Sequence, residues 1–147
     1  MMRPLSVWRV TLVGVEVTAE RVARVPAENL RVSRSEFGAL WTLAEQLGSQ
    51  PARGDHYLVG VIYTCRWLAA QSVWSPVLHR WQMPAAPLTR RRHRAMPETI
   101  EQEYLAAATA PAFTHDRARG VMVTIEWSWH GSHRPPLDLS TATPAAG

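Results

Sequence analysis

The sequence predicts an α+β fold in which a small antiparallel sheet, formed by N- and C-terminal strands, packs against about three helices. Two patterns carry this prediction. Strand-like apolar patterns occur near both ends of the chain, and apolar residues recur every three or four positions in its middle. The chain has 147 residues, of which 46% are hydrophobic, so one domain with one core is expected.

Each of the two predicted strands has its own pattern. The segment from Val7 to Thr18 is rich in valine and lacks helix formers. The segment from Val121 to His130 alternates apolar and mostly polar residues, which is typical of a sheet with one face on the core and one in water. Because two strands alone are marginal, a third is expected from residues 30–32, from residues 77–82 or from another subunit.

The first helix is predicted to begin near Ser33 or Ser35. Ser33 and Glu36 have the spacing of a capping box, and Gly48 is a natural C-terminal stop. Between these ends the apolar residues form one stripe at helical spacing. The stripe consists of Phe37, Leu40, Trp41, Ala44 and Leu47.

Two further helices follow. The second is predicted to be capped by Asp55 and to run to about Gln71. Proline is common in the first turn of a helix, so the third helix is predicted to begin at Pro97. Pro111 should end it. The second helix carries the clearest helical pattern in the chain, formed by Leu58, Val61, Ile62, Cys65, Leu68 and Ala69.

We expect residues 1–130 to form a single globular α+β domain and residues 131–147 to form a flexible C-terminal tail. The tail holds three prolines, several small polar residues and little to bury. The longest apolar run ends at Cys65 and is too short to span a bilayer, which needs about 20 residues. Arg9 interrupts the apolar start of the chain, which disfavours a signal peptide. With one cysteine no internal disulfide can form, and a cytoplasmic location is expected.

The charge is unevenly distributed. All 16 basic residues are arginine, and together with the abundant alanine and proline this indicates a high-GC bacterium. Seven arginines against Asp55 give residues 51–95 a charge of +6, whereas residues 96–147 carry −3. Such segregation fits either an anionic partner or pairing between the two halves of the chain.

The most basic run lies in an irregular, proline-rich stretch over residues 72–96. Arginine presents a planar fork of donors that suits phosphate oxygens, and Trp81 could stack on a base. The alternative is a solvated loop whose charge is balanced by acids just downstream, which are Glu98, Glu101 and Glu103. No nucleic-acid-binding motif is present. The candidate anion-binding residues are Arg90, Arg91, Arg92 and Arg94.

The other potentially reactive residues form no recognisable catalytic or metal-binding group. Cys65 lies on the apolar stripe of the second helix, so it is expected to be a core residue rather than a nucleophile. His130 and His133 have a metal-like spacing but lack further ligands, so no metal site is predicted. Glu98 and Glu101 are better explained by the helix dipole than by acid–base work. No cofactor motif or catalytic grouping is found.

Seven tryptophans are many for this length, and core packing explains most of them. Trp8, Trp74 and Trp81 are left as interface candidates, since tryptophan and arginine dominate protein interfaces. The leading hypothesis is a non-enzymatic interaction or accessory protein that docks on a protein partner or self-associates. One alternative is an anion- or nucleic-acid-binding module. The other is a small enzyme with a pocket between helices and sheet, near Tyr57, Tyr63, Tyr104 and His79.

Overall fold

The computed structural model describes residues 14–50 and 55–141 of the chain. This part contains five α-helices and one two-stranded antiparallel sheet, so the fold is broadly α+β, as predicted, but helices dominate it. The elements in chain order are α1 (Ala19–Ala23), α2 (Arg34–Gly48), α3 (His56–Ala69), β1 (Val73–Ser75), β2 (Arg80–Gln82), α4 (Pro97–Ala108) and α5 (His115–Ser128).

The ends of the three predicted helices are confirmed by their caps. The Ser33 hydroxyl accepts a hydrogen bond of 3.1 Å from the Glu36 amide at the start of α2. The Asp55 carboxylate accepts from the amides of Tyr57 and Leu58, at 3.0 and 3.4 Å, at the start of α3. Helix α4 begins at Pro97, where its missing N–H costs nothing. Local capping chemistry therefore determined these boundaries.

The predicted strand over residues 121–130 is wrong, because α5 occupies this segment. Thr124 and Ser128 look like the solvent face of a strand, yet both are completely buried. Their hydroxyls donate to helix carbonyls four residues earlier, at 2.7 and 2.6 Å, and so need no water. At helical spacing they share one buried stripe with Val121 and Ile125. Tertiary packing overrides the strand propensity of this segment.

The sheet is a hairpin inside the stretch that the sequence predicts to be irregular. Strand β1 pairs with β2 so that Trp74 lies opposite Trp81. In the predicted N-terminal strand, residues 7–13 lie outside the described residues, and residues 14–18 form no strand. Since residues 121–128 are helical, the described residues contain this local hairpin instead of a sheet with a C-terminal strand.

The core is one connected cluster of buried side chains contributed mainly by α2, α3 and α5. Leu58 and Ile62 of α3 lie in the same buried cluster as Ile125 and Trp127 of α5. Residues 121–128 therefore contribute to the core as part of a helix rather than as a strand.

Helices α3 and α5 pack backbone against backbone at two glycines. A Cβ atom at Gly120 would lie 2.2 Å from the carbonyl oxygen of Tyr57. A Cβ atom at Gly60 would lie 2.3 Å from the carbonyl oxygen of Arg117. Only a residue without a side chain permits so close an approach at these positions. The pair therefore sets the distance between the two central helices.

A buried ion pair joins α2 to α3. The Glu45 carboxylate accepts two hydrogen bonds from the Arg66 guanidinium, both at 2.8 Å. It also accepts from the indole of Trp41 at 3.1 Å and from the backbone amide of Val15 at 3.0 Å. One carboxylate thus satisfies donors from two helices and from the segment that precedes α1.

Part of the predicted tail lies against the helices. The Tyr57 hydroxyl donates to the carbonyl oxygen of Pro136 at 2.7 Å, and Pro136 is buried. Leu137 and Leu139 pack against the core cluster. Residues 142–147 lie outside the described part of the chain, and the flexibility of the tail stays a prediction. Within the described ranges, no helix has the length and apolar character needed to cross a membrane.

Candidate binding groove beside the hairpin

A groove of about 490 Å³ lies between the hairpin and the arginine-bearing segment. Residues 80–84 line one side of it and residues 92–95 line the other. Trp67 and Ala70, at the C-terminal end of α3, also line it. We call this the basic groove, because Arg80, Arg92 and Arg94 line it and none of its lining residues is acidic.

The structure divides the four predicted anion-binding arginines. Arg92 and Arg94 line the basic groove, where Arg80 joins them from β2. Arg90 instead places its guanidinium over the Tyr63 ring, at 4.7 Å from the ring centroid. Arg91 is exposed and lies outside the groove lining. The charge available to one ligand in the groove therefore comes from two predicted arginines and one that was not predicted.

Two guanidinium groups share the Tyr63 ring. The guanidinium carbon of Arg117 lies 5.0 Å from the centroid of the Tyr63 ring. Arg117 belongs to α5, whereas Arg90 belongs to the irregular segment before α4. Burial lowers the pKa of Arg117, and the nearby charge of Arg90 lowers it further. The Arg117 guanidinium also donates to the carbonyl oxygen of Pro87 at 2.7 Å. This contact fixes the segment to α5.

A buried carboxylate holds the same segment to α4. Glu103 is almost fully buried and accepts hydrogen bonds from the amides of Leu88 and Thr89, at 2.8 and 3.3 Å, and from the Thr89 hydroxyl. The sequence suggested that Glu103 balances the arginines from the surface. It binds the backbone of their loop instead, so it positions the arginines rather than only neutralising them.

Replacement of Glu103 should loosen this loop. In Glu103→Ala three donors lose their buried acceptor, so we expect the free energy of unfolding to fall by about 2–4 kcal/mol. The amides of Leu88 and Thr89 should exchange faster with solvent, as measured by hydrogen exchange. The control is Glu98→Ala, which removes an exposed carboxylate from the same helix. Unchanged exchange at both amides in Glu103→Ala would contradict the positioning role.

Two further hydrogen bonds fix the groove wall itself. The Trp67 indole donates to the carbonyl oxygen of His93 at 2.9 Å, and the Thr99 hydroxyl donates to that of Arg94 at 2.7 Å. Two side-chain nitrogens of groove-lining residues, Gln82 Nε2 and His93 Nε2, are buried without a hydrogen-bond partner in the described part of the chain. Unpaired buried polar atoms are rare in native proteins, and the lining residues of this groove contribute two of them.

The hairpin brings together two of the three predicted interface tryptophans. The rings of Trp74 and Trp81 meet edge to face, with centroids 5.8 Å apart. Trp74 is 45% exposed and Trp81 is 60% exposed, so packing against each other leaves much of both rings in water. Trp8 lies outside the described residues. We call the exposed apolar residues of this region the hairpin patch, which consists of Trp74, Val77, Leu78, Trp81 and Met83.

The remaining candidate residues lie elsewhere. Cys65 is completely buried, and burial raises the pKa of its thiol well above the usual range, so its thiolate is strongly disfavoured. His130 contacts the Glu101 carboxylate at 2.7 Å, and His133 is exposed. The described residues contain no group of three or more potential metal ligands arranged to hold an ion.

The residues considered for an enzyme pocket have separate local partners. Tyr57 bonds Pro136, Tyr63 carries the two guanidinium groups, and Tyr104 packs edge to face on His130. His79 is exposed in the hairpin turn. Burial raises the pKa of Tyr57, and the hydroxyl of this residue is occupied by its hydrogen bond to the carbonyl oxygen.

No family model, curated protein or solved structure matches this chain. The functional inference therefore rests on the hairpin patch and the basic groove. Sequence reasoning missed the groove because Arg80 is distant in sequence from Arg92 and Arg94. An available signal was the symmetric placement of Trp74 and Trp81 around a turn containing Pro76.

Proposed function

We propose that this chain is a non-enzymatic binding protein that docks on a protein partner through the hairpin patch. The observation that carries the proposal is the cross-strand pair of Trp74 and Trp81, exposed to 45% and 60%. Tryptophan side chains form the energetic centre of many interfaces, because they bury a large area with little conformational freedom to lose. The neighbouring Val77, Leu78 and Met83 extend the same apolar surface.

Arginine beside exposed tryptophan supports the same function. Arg80 lies between the turn and Trp81 on β2, and Arg92 and Arg94 border the groove that Trp81 also lines. Protein interfaces commonly combine an aromatic centre with a polar rim, and arginine is enriched in them. Two copies of this positive surface would repel each other if the same patch met itself. The arrangement therefore favours a different, acidic protein over a symmetric homodimer through this face.

Site-specific photocrosslinking in the native host tests the proposal. A benzophenone amino acid at position 74 should give a covalent adduct of discrete mass after irradiation. The matched control places the same amino acid at Leu105, which is 61% exposed on α4 and lies outside the hairpin. We expect the adduct at position 74 alone, and we expect Trp81→Ser to abolish it without changing the far-UV circular dichroism of the chain.

The absence of any adduct at position 74, or the same set of adducts at both positions, would contradict the proposal. An adduct with a second copy of the chain would identify self-association as the docking event.

A second candidate function is the binding of a polyanion such as nucleic acid. It is favoured by one observation, which is that Arg80, Arg92 and Arg94 line a single groove that has no acidic lining residue. Such binding would weaken steeply with salt because bound counterions are released from the polyanion.

A further inference from the structure

We infer that the basic groove binds an acidic segment of the partner protein in extended conformation, along the free edge of β2. This inference deepens the proposed function, on which it rests, by naming the chemistry and the binding mode of the partner. Residues of β2 line the groove together with residues 92–95. A chain that enters the groove therefore lies beside β2.

The first argument is the unpaired backbone. Strand β2 pairs with β1 along one edge, and the described residues supply no strand for its other edge. Across the groove, the amides of Arg92, His93 and Arg94 donate to no backbone carbonyl in the described part of the chain. Free strand edges bind extended peptides because main-chain hydrogen bonds supply affinity without a specific sequence.

The second argument is charge. Three guanidinium groups, from Arg80, Arg92 and Arg94, line the groove with no acid among the lining residues. Guanidinium forms paired hydrogen bonds with carboxylate, so aspartate and glutamate side chains are its natural protein partners. A chain that presents carboxylates therefore supplies the acceptors that these guanidinium groups need.

The third argument separates an acidic peptide from nucleic acid. Single-stranded nucleic acids bind to grooves that offer stacking surfaces to successive bases. Of the two tryptophans that line this groove, only Trp81 exposes its ring, since Trp67 is 1% exposed. The groove volume of about 490 Å³ suits a short stretch of chain rather than a long backbone track.

The fourth argument is that one wall is already in place. His93 and Arg94 are held through their carbonyls by Trp67 and Thr99, and the preceding loop is held by Glu103. The arginines therefore do not need to be ordered by the ligand from a free loop. Such preorganisation lowers the entropic cost of binding.

Peptide selection followed by direct binding tests the inference. A phage library of random decapeptides is panned on the full chain at low salt, and a selected peptide is then labelled with fluorescein for anisotropy titrations. We expect aspartate and glutamate to be enriched over the library. Their replacement by asparagine and glutamine should abolish binding to the unmodified protein, which tests the charge requirement without any protein variant.

Two matched protein variants locate the binding. The groove triple variant carries Arg80→Gln, Arg92→Gln and Arg94→Gln. The control carries Arg91→Gln, Arg119→Gln and Arg134→Gln, which removes the same charge from exposed positions outside the groove. We expect the groove variant to bind roughly tenfold more weakly or worse, the size expected of three partly solvated charge pairs, and the control to change much less. Thermal unfolding verifies that both variants fold.

Binding to nucleic acid is measured in the same anisotropy titration with a fluorescein-labelled oligo(dT) of ten nucleotides. Tighter binding of this probe than of the selected peptide, lost in the groove variant, would overturn the inference in favour of nucleic acid. Selected peptides that are not enriched in aspartate and glutamate would overturn it as well. So would an equal loss of peptide affinity in the two triple variants. Photocrosslinking at position 74 reports contact at the hairpin patch, whether or not the partner also places an acidic segment in the groove. Adducts there without acidic selection would therefore reject this inference and leave the docking function standing.

Discussion

Replacing Gly120 with alanine should strongly destabilise the protein, because the added methyl group would clash with the backbone of a neighbouring helix. The new Cβ would meet the Tyr57 carbonyl oxygen at 2.2 Å and the Val61 amide nitrogen at 3.1 Å, and both are backbone atoms. Helix α5 must then move away from α3, which opens the best-packed contact of the core. We expect a loss of about 3 kcal/mol or more, against the gain of up to about 1 kcal/mol that alanine brings to an exposed helix.

Thermal unfolding followed by circular dichroism measures this effect, with Gly48→Ala as the matched control. At Gly48 the added Cβ meets the end of the Ile62 side chain, at 2.4 Å, and that side chain can rotate away. For a chain of this size, 3 kcal/mol corresponds to a fall in Tm of roughly 6–12 °C. A Tm for Gly120→Ala equal to that of the control would show that the two helices are not in backbone contact.

Truncation of Glu45 is the second change with a large expected effect. In Glu45→Ala the Arg66 guanidinium loses two hydrogen bonds at 2.8 Å and stays largely buried, while the Trp41 indole loses its acceptor. Removing the ion-pair partner of a largely buried charge costs about 3–5 kcal/mol. We expect a loss of this size in denaturant unfolding, together with faster hydrogen exchange at Val15.

The control for Glu45 removes both charges. Because desolvation offsets much of the attraction within a buried ion pair, the double variant Glu45→Leu/Arg66→Met should recover the part of the loss that comes from the Arg66 charge. The Trp41 indole and the Val15 amide still lack their acceptor in this variant. The losses of Glu45→Leu and Arg66→Met alone should therefore not add. Additive losses in this double-mutant cycle would mean that the pair contributes through packing rather than through its charges.

Local signals determined what could be predicted from the sequence. The starts of α2 and α3 follow from Ser33 and Asp55, whose side chains accept hydrogen bonds from amides in the first turn. The start of α4 follows from Pro97, which has no N–H to leave unbonded there. The identity of α5 could not be read in this way. Thr124 and Ser128 become buried only when α5 packs against the other helices, and their hydroxyls then bond their own helix. A period-two pattern and a helix with small buried polar residues look alike before that packing is known.

The candidate site was predicted in parts. Trp74 and Trp81 stood out by composition, and the hairpin that pairs them is short enough for its turn to be read locally. The grouping of Arg80 with Arg92 and Arg94 depends on where a hairpin and an irregular segment lie in space. Burial of Glu103 also required tertiary structure, since an acid in a helix at this spacing is usually solvated.

The two walls of the basic groove differ in how they are built. One is tied to three helices, through Trp67 of α3, Glu103 of α4 and Arg117 of α5. The other is an isolated two-stranded ribbon with much of its apolar surface in water. The ribbon therefore has fewer contacts to hold its conformation than the opposite wall has. Ordering it on binding would cost conformational entropy, so a stiffer hairpin turn should strengthen binding.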